Sequence, residues 1–484
     1  MGAEDKEKSK IAEWRELARS NEIDIEEYYQ NLIEQLSRTN KEFHAFHTIQ
    51  AYSDIASDLG KNTTNPLMNF PYSAKDNICT KGIETTAGSR ILEGYIPPFN
   101  ATVVERVTGE GGVLLGKTNM DEFGFGTFAT NSGFEIPRNP YNKELVSGGS
   151  SGGAGVATAI MEFHFALAVS TGGSISCPAA FNGIVGFTPS YGVVSRWGLI
   201  DYANSLDKIG LMARYTRDIE IIFSKIAGKD GKDSTLANYQ KAAPTKNENP
   251  KNLKIGVFEE ALEHCEETVT RSFGIALDRL SSEYSLEYER VEVPSVKHAI
   301  AAYYLISTAE ASTNLARYCG MRFGKQLGIY ERHFDMFFTE HRTKFFGEEA
   351  KRRIILGTFA RMAGYRDRYF SRALKIRELM ISEYKQLLKQ YDVIATPTMP
   401  ILPPNIEKAR KMSPIETYSL DILTIPPNLC GLPHISLPSS YEPAPSGIQF
   451  IADHYNEPVL FCIGKLWENI FSYKEPETKI GVVK

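Results

Sequence analysis

Between Val146 and Ser176 the chain runs through two dense patches of glycine and serine, Ser147-Gly148-Gly149-Ser150-Ser151-Gly152-Gly153 and Thr171-Gly172-Gly173-Ser174-Ile175-Ser176. Without a Cβ in the way, backbone N–H groups can converge at a strand-to-helix turn. The apolar stretch from Phe165 to Ser170 reads as a strand feeding directly into Thr171. A short helix is expected behind it, with Ser176 as cap and Pro178 in the first turn. Upstream, glycines recur at 88, 94, 109, 111, 112, 116, 124, 126 and 133, between short apolar runs. From about residue 66 to 228 this texture predicts an α/β core.

The rest of the chain arranges itself around that core. Residues 4–38 are polar and amphipathic, two helices about a turn at Ser20-Asn21. Residues 229–252, with Pro244 and Pro250, read as an exposed connection. A strand is expected from Leu253 to Phe258. Helical periodicity then dominates 266–390, with Ser285 to Val293 as a strand-like exception. Within 391–472, Tyr391 to Thr396, His434 to Leu437 and Gly447 to Ile451 read as returning strands before a C-terminal helix, and the final dozen residues read as a tail. Strands on both sides of a helical insertion predict one domain over residues 1–484, a single sheet capped at one end by the helical region.

Charge and composition narrow the function. The 54 Lys and Arg are outweighed by 59 Asp and Glu, a net charge of −5, so this chain is not expected to grip nucleic-acid phosphates by itself. An apolar share of 42% with 23% charged residues fits a soluble globular protein. The opening residues MGAEDKEKSK carry no apolar core, so no secretory leader is expected. The apolar run from Val156 to Val169 is interrupted by Thr158, Glu162 and His164, too short and too polar for a membrane span. Six scattered cysteines without a CxxC pair suit reduced thiols in the cytoplasm, and no metal site is expected. His44 and His47 lie three apart without an evident third ligand.

A third segment, Tyr72-Ser73-Ala74-Lys75-Asp76-Asn77, completes the chemistry. Each of the three has a plainer reading alone: a snorkelling lysine, a flexible glycine turn, an ordinary helix start. Together they are more informative. A strand ending at Thr171-Gly172-Gly173 places N–H donors beside Ser174, where an oxyanion would form on a carbonyl attacked by its hydroxyl. A serine hydroxyl needs a base, and no histidine lies in a nucleophile-elbow or chymotrypsin-like context. Lys75, held neutral in a dry pocket, can serve, with Ser150 relaying the proton.

On these residues the chain resembles the amidase signature family, in which a Gly/Ser-rich signature precedes the nucleophile. Ser174 follows Ser150 by 24 positions, as that pattern requires. The resemblance implies a large mixed β-sheet core covered by helices on both faces, with a helical cap. It also implies Ser174 as acyl-enzyme nucleophile, Ser150 as bridging serine in a cis peptide, Lys75 as base and Ser151 as a supporting serine. The amides of Thr171, Gly172, Gly173 and Ser174 would form the oxyanion hole.

Within the family the likeness is strongest to the branch of glutaminase subunits of tRNA-dependent amidotransferases. It rests on Gly116-Lys117-Thr118-Asn119-Met120-Asp121-Glu122-Phe123-Gly124, Ser205-Leu206-Asp207-Lys208-Ile209-Gly210, Tyr303-Tyr304, Arg352-Arg353-Ile354-Ile355-Leu356-Gly357-Thr358 and the run from Asp421 to Leu429. That likeness implies that Arg353 clamps the glutamine α-carboxylate, Asp421 binds its polar head and Tyr304 lines the pocket. The ammonia would pass to a larger partner, the B subunit of the amidotransferase, with a small C subunit completing the complex. ATP and Mg2+ are expected on the partner, none on this chain, and tRNA is expected to bind mainly there. Plainer readings stay open: i,i+4 pairing with Glu348 or Glu349 accounts for either arginine, Tyr303-Tyr304 suits a core, and Asp421 suits a turn before Pro426. A free-standing amidase acting on small aryl or alkyl amides is the alternative function.

The chain departs from the family in one place. The usual Asp-Thr-Gly-Gly-Ser-Ile-Arg is here Ser170 to Ser176, so both charged positions carry serine. Losing one partner of a buried pair strands a charge, whereas losing both together can be nearly neutral. A coordinated swap that spares the nucleophile is therefore expected.

Overall fold

The computed structural model describes residues 8–59, 64–239, 253–326 and 333–483. Two helices open it, Lys10–Arg19 and Ile25–Phe43. Ser9 caps the first by accepting from the Ala12 N–H, and Asp24 caps the second by accepting from the Glu27 N–H. The second helix runs on to Phe43 and ends at His44, which takes the left-handed conformation. Trp14 and Tyr29 fasten the pair to the core by donating to the carbonyls of Met68 (2.8 Å) and Asn69 (2.6 Å).

The described strands form one sheet: β1 (Phe46–Ile49), β2 (Pro71–Lys75), β3 (Val113–Thr118), β4 (Phe165–Ser170), β5 (Val185–Thr188), β6 (Lys208–Ala213), β7 (Lys254–Phe258), β8 (Glu287–Val291), β9 (Val393–Pro397), β10 (His434–Ser440) and β11 (Ser446–Ile451). Their order is β1-β3-β2-β4-β6-β5-β10-β11-β9-β7-β8. β2 pairs in parallel with β3 and β4, and β7 with β8 and β9; the other pairs are antiparallel. The parallel pairs need crossovers, supplied by the helices Thr102–Gly109, Gly152–Ile160 and Glu267–Tyr284. Every residue of β2, β3, β4 and β6 is buried, so both faces of the central sheet are covered.

The helical region between β8 and β9 contains Ala299–Asn314, Phe334–Phe345, Glu348–Arg361 and Phe370–Leu387. It shares an apolar cluster with Phe123, Phe125, Tyr202 and Leu423, which seats it over the loops at the end of the central strands. The helix Glu457–Ile470 closes the fold, and its Trp467 donates to the Pro438 carbonyl at 2.8 Å.

Two segments differ from their sequence-based expectation. The last residues do not form a free tail. Ile480 is buried and bridges Met161, Lys479 pairs with Glu162, and Gly481 donates to Gln35 at 3.0 Å. Ile480, Val482 and Val483 end a polar stretch and are too few to set a period, which is why this docking was illegible. The connection after residue 228 is anchored where it is described, since Asp230 accepts from Thr102 (2.6 Å), Lys232 and Asp233. Residues 240–252 of that expected connection lie outside the described residues.

Candidate active site

The parallel register sets the site. Ala74 of β2 lies opposite Leu167 of β4, so Lys75, the last residue of β2, arrives level with the end of β4. Its ammonium nitrogen donates to the Ser150 hydroxyl at 2.7 Å and to the Val169 carbonyl at 3.2 Å. Ser151 donates to that same carbonyl at 3.3 Å. The Gly149–Ser150 peptide is cis. Burial pushes Lys75 down to about 7, against the opposing pull of the Asp121 and Asp207 carboxylates. Near neutral pH the amine is therefore divided between its protonated and free forms.

Both carboxylates are buried and held by N–H groups. Asp121 accepts from Ala129 (3.0 Å) and Asn131 (2.8 Å), and burial raises it to about 6 against those bonds. Asp207 accepts from the Thr171 hydroxyl (2.7 Å), Tyr202 N–H (2.8 Å) and Ala203 N–H (2.9 Å), and burial raises it to about 7.

β4 ends at Ser170, and the helix Ser176–Phe181 begins after the turn. The Gly172 carbonyl accepts from the Ser170 hydroxyl at 2.8 Å and from the Asn428 amide. Because the peptide is planar and trans, holding that carbonyl aims the Gly173 N–H the opposite way. A side chain at Gly172 would meet the Tyr303 hydroxyl at 2.9 Å, and one at Gly173 the Thr424 hydroxyl at 2.6 Å. Only glycine lets both neighbours close on this turn. Ser174 is 7% exposed, and its hydroxyl hydrogen-bonds to nothing among the described residues. Thus the Lys75–Ser150 leg of a proton relay is formed, and the leg to Ser174 is open. Ser176 is buried without a hydrogen-bond partner among the described residues.

Thr127, Glu349, Arg352, Arg353 and Tyr418, among others, line a cavity of about 260 Å³. Glu349 pairs with both arginines, to Arg353 at 2.8 Å. Their environments differ. Arg353 is 3% exposed, donates to the Tyr202 hydroxyl at 2.6 Å, and sits 5.0–5.6 Å from the ring centres of Phe125, Tyr202, Tyr304 and Tyr418. Arg352 keeps its side chain partly in solvent. Asp421 turns its carboxylate inward and accepts from Tyr304 and Thr127, each at 3.1 Å. Burial raises it to about 6, opposed by those two bonds and by Arg353. The Thr127 carbonyl in turn accepts from the Gly149 N–H at 2.7 Å, which ties the pocket to the Ser150 loop.

The structure therefore gathers Lys75, Ser150, Ser151, Thr171, Gly172, Gly173, Ser174, Tyr304, Arg353 and Asp421 into one connected region. Glu349 pairs with Arg353 at i,i+4, as the plainer reading of the sequence allowed, whereas Asp121, Asp207, Tyr202, Tyr418, Thr127 and Asn428 were not singled out individually from sequence. Asp121, Asp207 and Asn428 fall within the stretches that carry the family likeness; Tyr202 reaches Arg353 from a loop and Tyr418 from the short helix Pro414–Ser419. Among the described residues no three His, Cys, Asp or Glu side chains converge as a metal site would need, and no helix is long and apolar enough to cross a membrane.

Comparison with known proteins agrees with this geometry. The family profile Amidase matches residues 4–461. The A subunit of glutamyl-tRNA(Gln) amidotransferase from Sulfolobus acidocaldarius is 42% identical over 471 residues, 95% of this chain and 97% of that protein. The crystal structure of the same A subunit from Thermotoga maritima aligns over the whole of both chains with a TM-score of 0.81 and 34% identity. A 6-aminohexanoate cyclic dimer hydrolase shares the fold at 22% identity, with a TM-score of 0.82 and 98% of this chain covered. With its profile match and its relatives spanning nearly the full length, the chain belongs to the amidase family.

Proposed function

We propose that this chain is the glutaminase subunit of a tRNA-dependent amidotransferase. The observation that carries this reading is a pair of buried, opposed charges tied to the Ser150 loop through Thr127. Tyr304 joins the buried Arg353 guanidinium to the buried Asp421 carboxylate, donating to Asp421 and packing against Arg353. A free amino acid carries an α-carboxylate and an α-ammonium and needs both; a small neutral amide needs neither. Identity along nearly the whole chain to amidotransferase A subunits supports the same reading.

In this mechanism glutamine binds with its α-carboxylate on Arg353 and its α-ammonium on Asp421, which brings its side-chain amide to Ser174. Neutral Lys75 takes the Ser150 proton as Ser150 takes that of Ser174, and the Ser174 oxygen forms a bond to the amide carbon. The carbonyl oxygen becomes an oxyanion held by the amides of Thr171, Gly172, Gly173 and Ser174. The proton returns through Ser150 to the amide nitrogen, the C–N bond breaks and ammonia leaves. Water then attacks the glutamyl ester carbon as Lys75, through Ser150, accepts its proton; the C–O bond to Ser174 breaks, the proton returns to the Ser174 oxygen, and glutamate departs. The B subunit receives the ammonia and, with ATP and Mg2+, amidates Glu on tRNA(Gln) or Asp on tRNA(Asn), while the C subunit completes the complex. No cofactor is assigned to this chain. The six cysteines, unpaired in the fold, suit a reducing cytoplasm.

An electrophilic norleucine analogue of glutamine tests this reading. It should label Ser174 covalently, and free glutamine should protect. Labelling absent from Ser174, or unprotected by glutamine but prevented by a small aryl amide, would favour a free-standing amidase.

A further inference from the structure

The helix Glu348–Arg361 has two faces of different fate. Its inner face, with Glu349, Ala350, Arg353, Gly357 and Ala360, is buried. A side chain at Gly357 would collide with the Thr308 carbonyl, so the helix lies backbone to backbone on Ala299–Asn314. Its outer face carries a cluster of apolar side chains beside the exposed Arg352, Thr358 and Arg361. Ile355 is 68% exposed, Leu356 46% and Phe359 41%, and Met362, just past the helix, 52%. The Phe359 ring continues the patch to two further exposed rings, Tyr365 at 4.4 Å and Tyr369 at 6.0 Å. Single exposed apolar side chains are ordinary, whereas a contiguous group of six marks a contact surface.

Charge surrounds this patch. Arg361, Arg366, Arg368, Arg372 and Lys375 are all exposed, and none has an ion-pair partner among the described residues. The one acid between 359 and 375 is Asp367, which accepts from the Ser371 hydroxyl. In a chain of net charge −5, this is a concentrated positive rim.

We infer that the outer face of Glu348–Arg361, with the turn through Tyr369, docks a protein partner whose contact surface is apolar at its centre and acidic at its edge. Tyr, Phe, Met and Arg are the residues enriched in such contacts. A second copy of this chain fits poorly, because a two-fold contact would set the arginine rim against itself. A nucleic acid would match the arginines and rings but leave Ile355, Leu356 and Met362 without a base to stack on. Arg352, which lines the cavity, precedes Ile355 by three residues on this same exposed face, so the docked partner would stand at the cavity's edge. Given the proposed function, on which this assignment of the occupant rests, that partner is the protein that consumes ammonia.

The test uses the full chain with the B and C subunits of the same organism. Two variants are compared with wild type, Ile355→Glu with Phe359→Glu, and Arg366→Glu with Arg368→Glu. Both alter exposed side chains, and thermal melting checks that each folds. The proposal expects wild-type melting with affinity for the other two proteins weakened about a hundredfold in each variant. It also expects wild-type affinity to fall with salt. Wild-type affinity in a folded variant overturns the docking face while leaving the proposed function standing. Wild type failing to assemble with the B and C subunits overturns the proposed function and this face together. Variants that lose only a self-dimer, or only RNA binding, would assign the face to a second copy or to RNA and overturn the proposal. Variants that both fail to fold would show that the outer face serves this chain's own packing, which also overturns it.

Discussion

Lys75 donates to the Ser150 hydroxyl across 2.7 Å in a pocket closed to water, and this pair makes the site's chemistry depend on pH. The folded-state value of Lys75 is lowered by burial to about 7, and the proposed mechanism needs the neutral amine. For glutamine hydrolysis, kcat/KM should therefore rise about tenfold per pH unit below that value and level off above it. A pH–rate profile of the assembled complex checks this. Lys75→Ala should remove the inflection and lower the rate about 10²–10⁴-fold.

Arg353 and Asp421 should separate substrates. Arg353→Ala and Asp421→Asn are expected to lower kcat/KM for glutamine about a hundredfold or more, as loss of a buried charged contact does. Turnover of a small neutral amide should change far less. Steady-state kinetics with both substrates decide it, and equal losses would mean that the pocket is not the amino-acid site.

Ser170 and Ser176 test the coordinated loss of charge. Ser170→Asp alone would bury a carboxylate beside the Gly172 carbonyl, and Ser176→Arg alone a guanidinium without a counter-charge. Each single change should destabilise by about 3–5 kcal/mol. The double variant should recover about 1–3 kcal/mol relative to the sum, measured by urea unfolding. Strict additivity would show that the two positions do not communicate.

The C-terminal segment should contribute to stability. Ile480 is buried against Met161, and Ile480→Ala is expected to cost about 2 kcal/mol in urea unfolding with glutamine kinetics unchanged. No change in the unfolding midpoint would mean that the segment is loosely held.

These predictions also show where sequence reading reached and where it stopped. Phe165 to Ser170 was legible as a strand because an uninterrupted apolar run must be buried on both sides, and the glycines after it announced a close-packed turn. Lys75, Ser150 and Ser174 could be grouped because their chemistry is incomplete apart. The order of strands was not legible: β5 lies between β6 and β10, and nothing local to Val185–Thr188 says so. Tyr202 and Tyr418 were hidden for a similar reason, since their role comes from converging on Arg353 from distant segments. Periodicity also misleads about which face of Glu348–Arg361 turns inward, because Glu349 and Arg353 are buried while Ile355, Leu356 and Phe359 are exposed. Gly357 settles it, through a contact that exists only in three dimensions.

The central claim is that Ser174 attacks glutamine with Lys75 and Ser150 as its proton relay. The most direct measurement is glutamate release from glutamine by the complex assembled with wild-type chain or with Ser174→Ala, alongside amidation of Glu-tRNA(Gln) and Asp-tRNA(Asn) with glutamine or with added ammonium as nitrogen donor. The account predicts that Ser174→Ala abolishes glutamate release and glutamine-dependent amidation while ammonium still supports amidation. Glutamine hydrolysis at the wild-type rate in Ser174→Ala would contradict it.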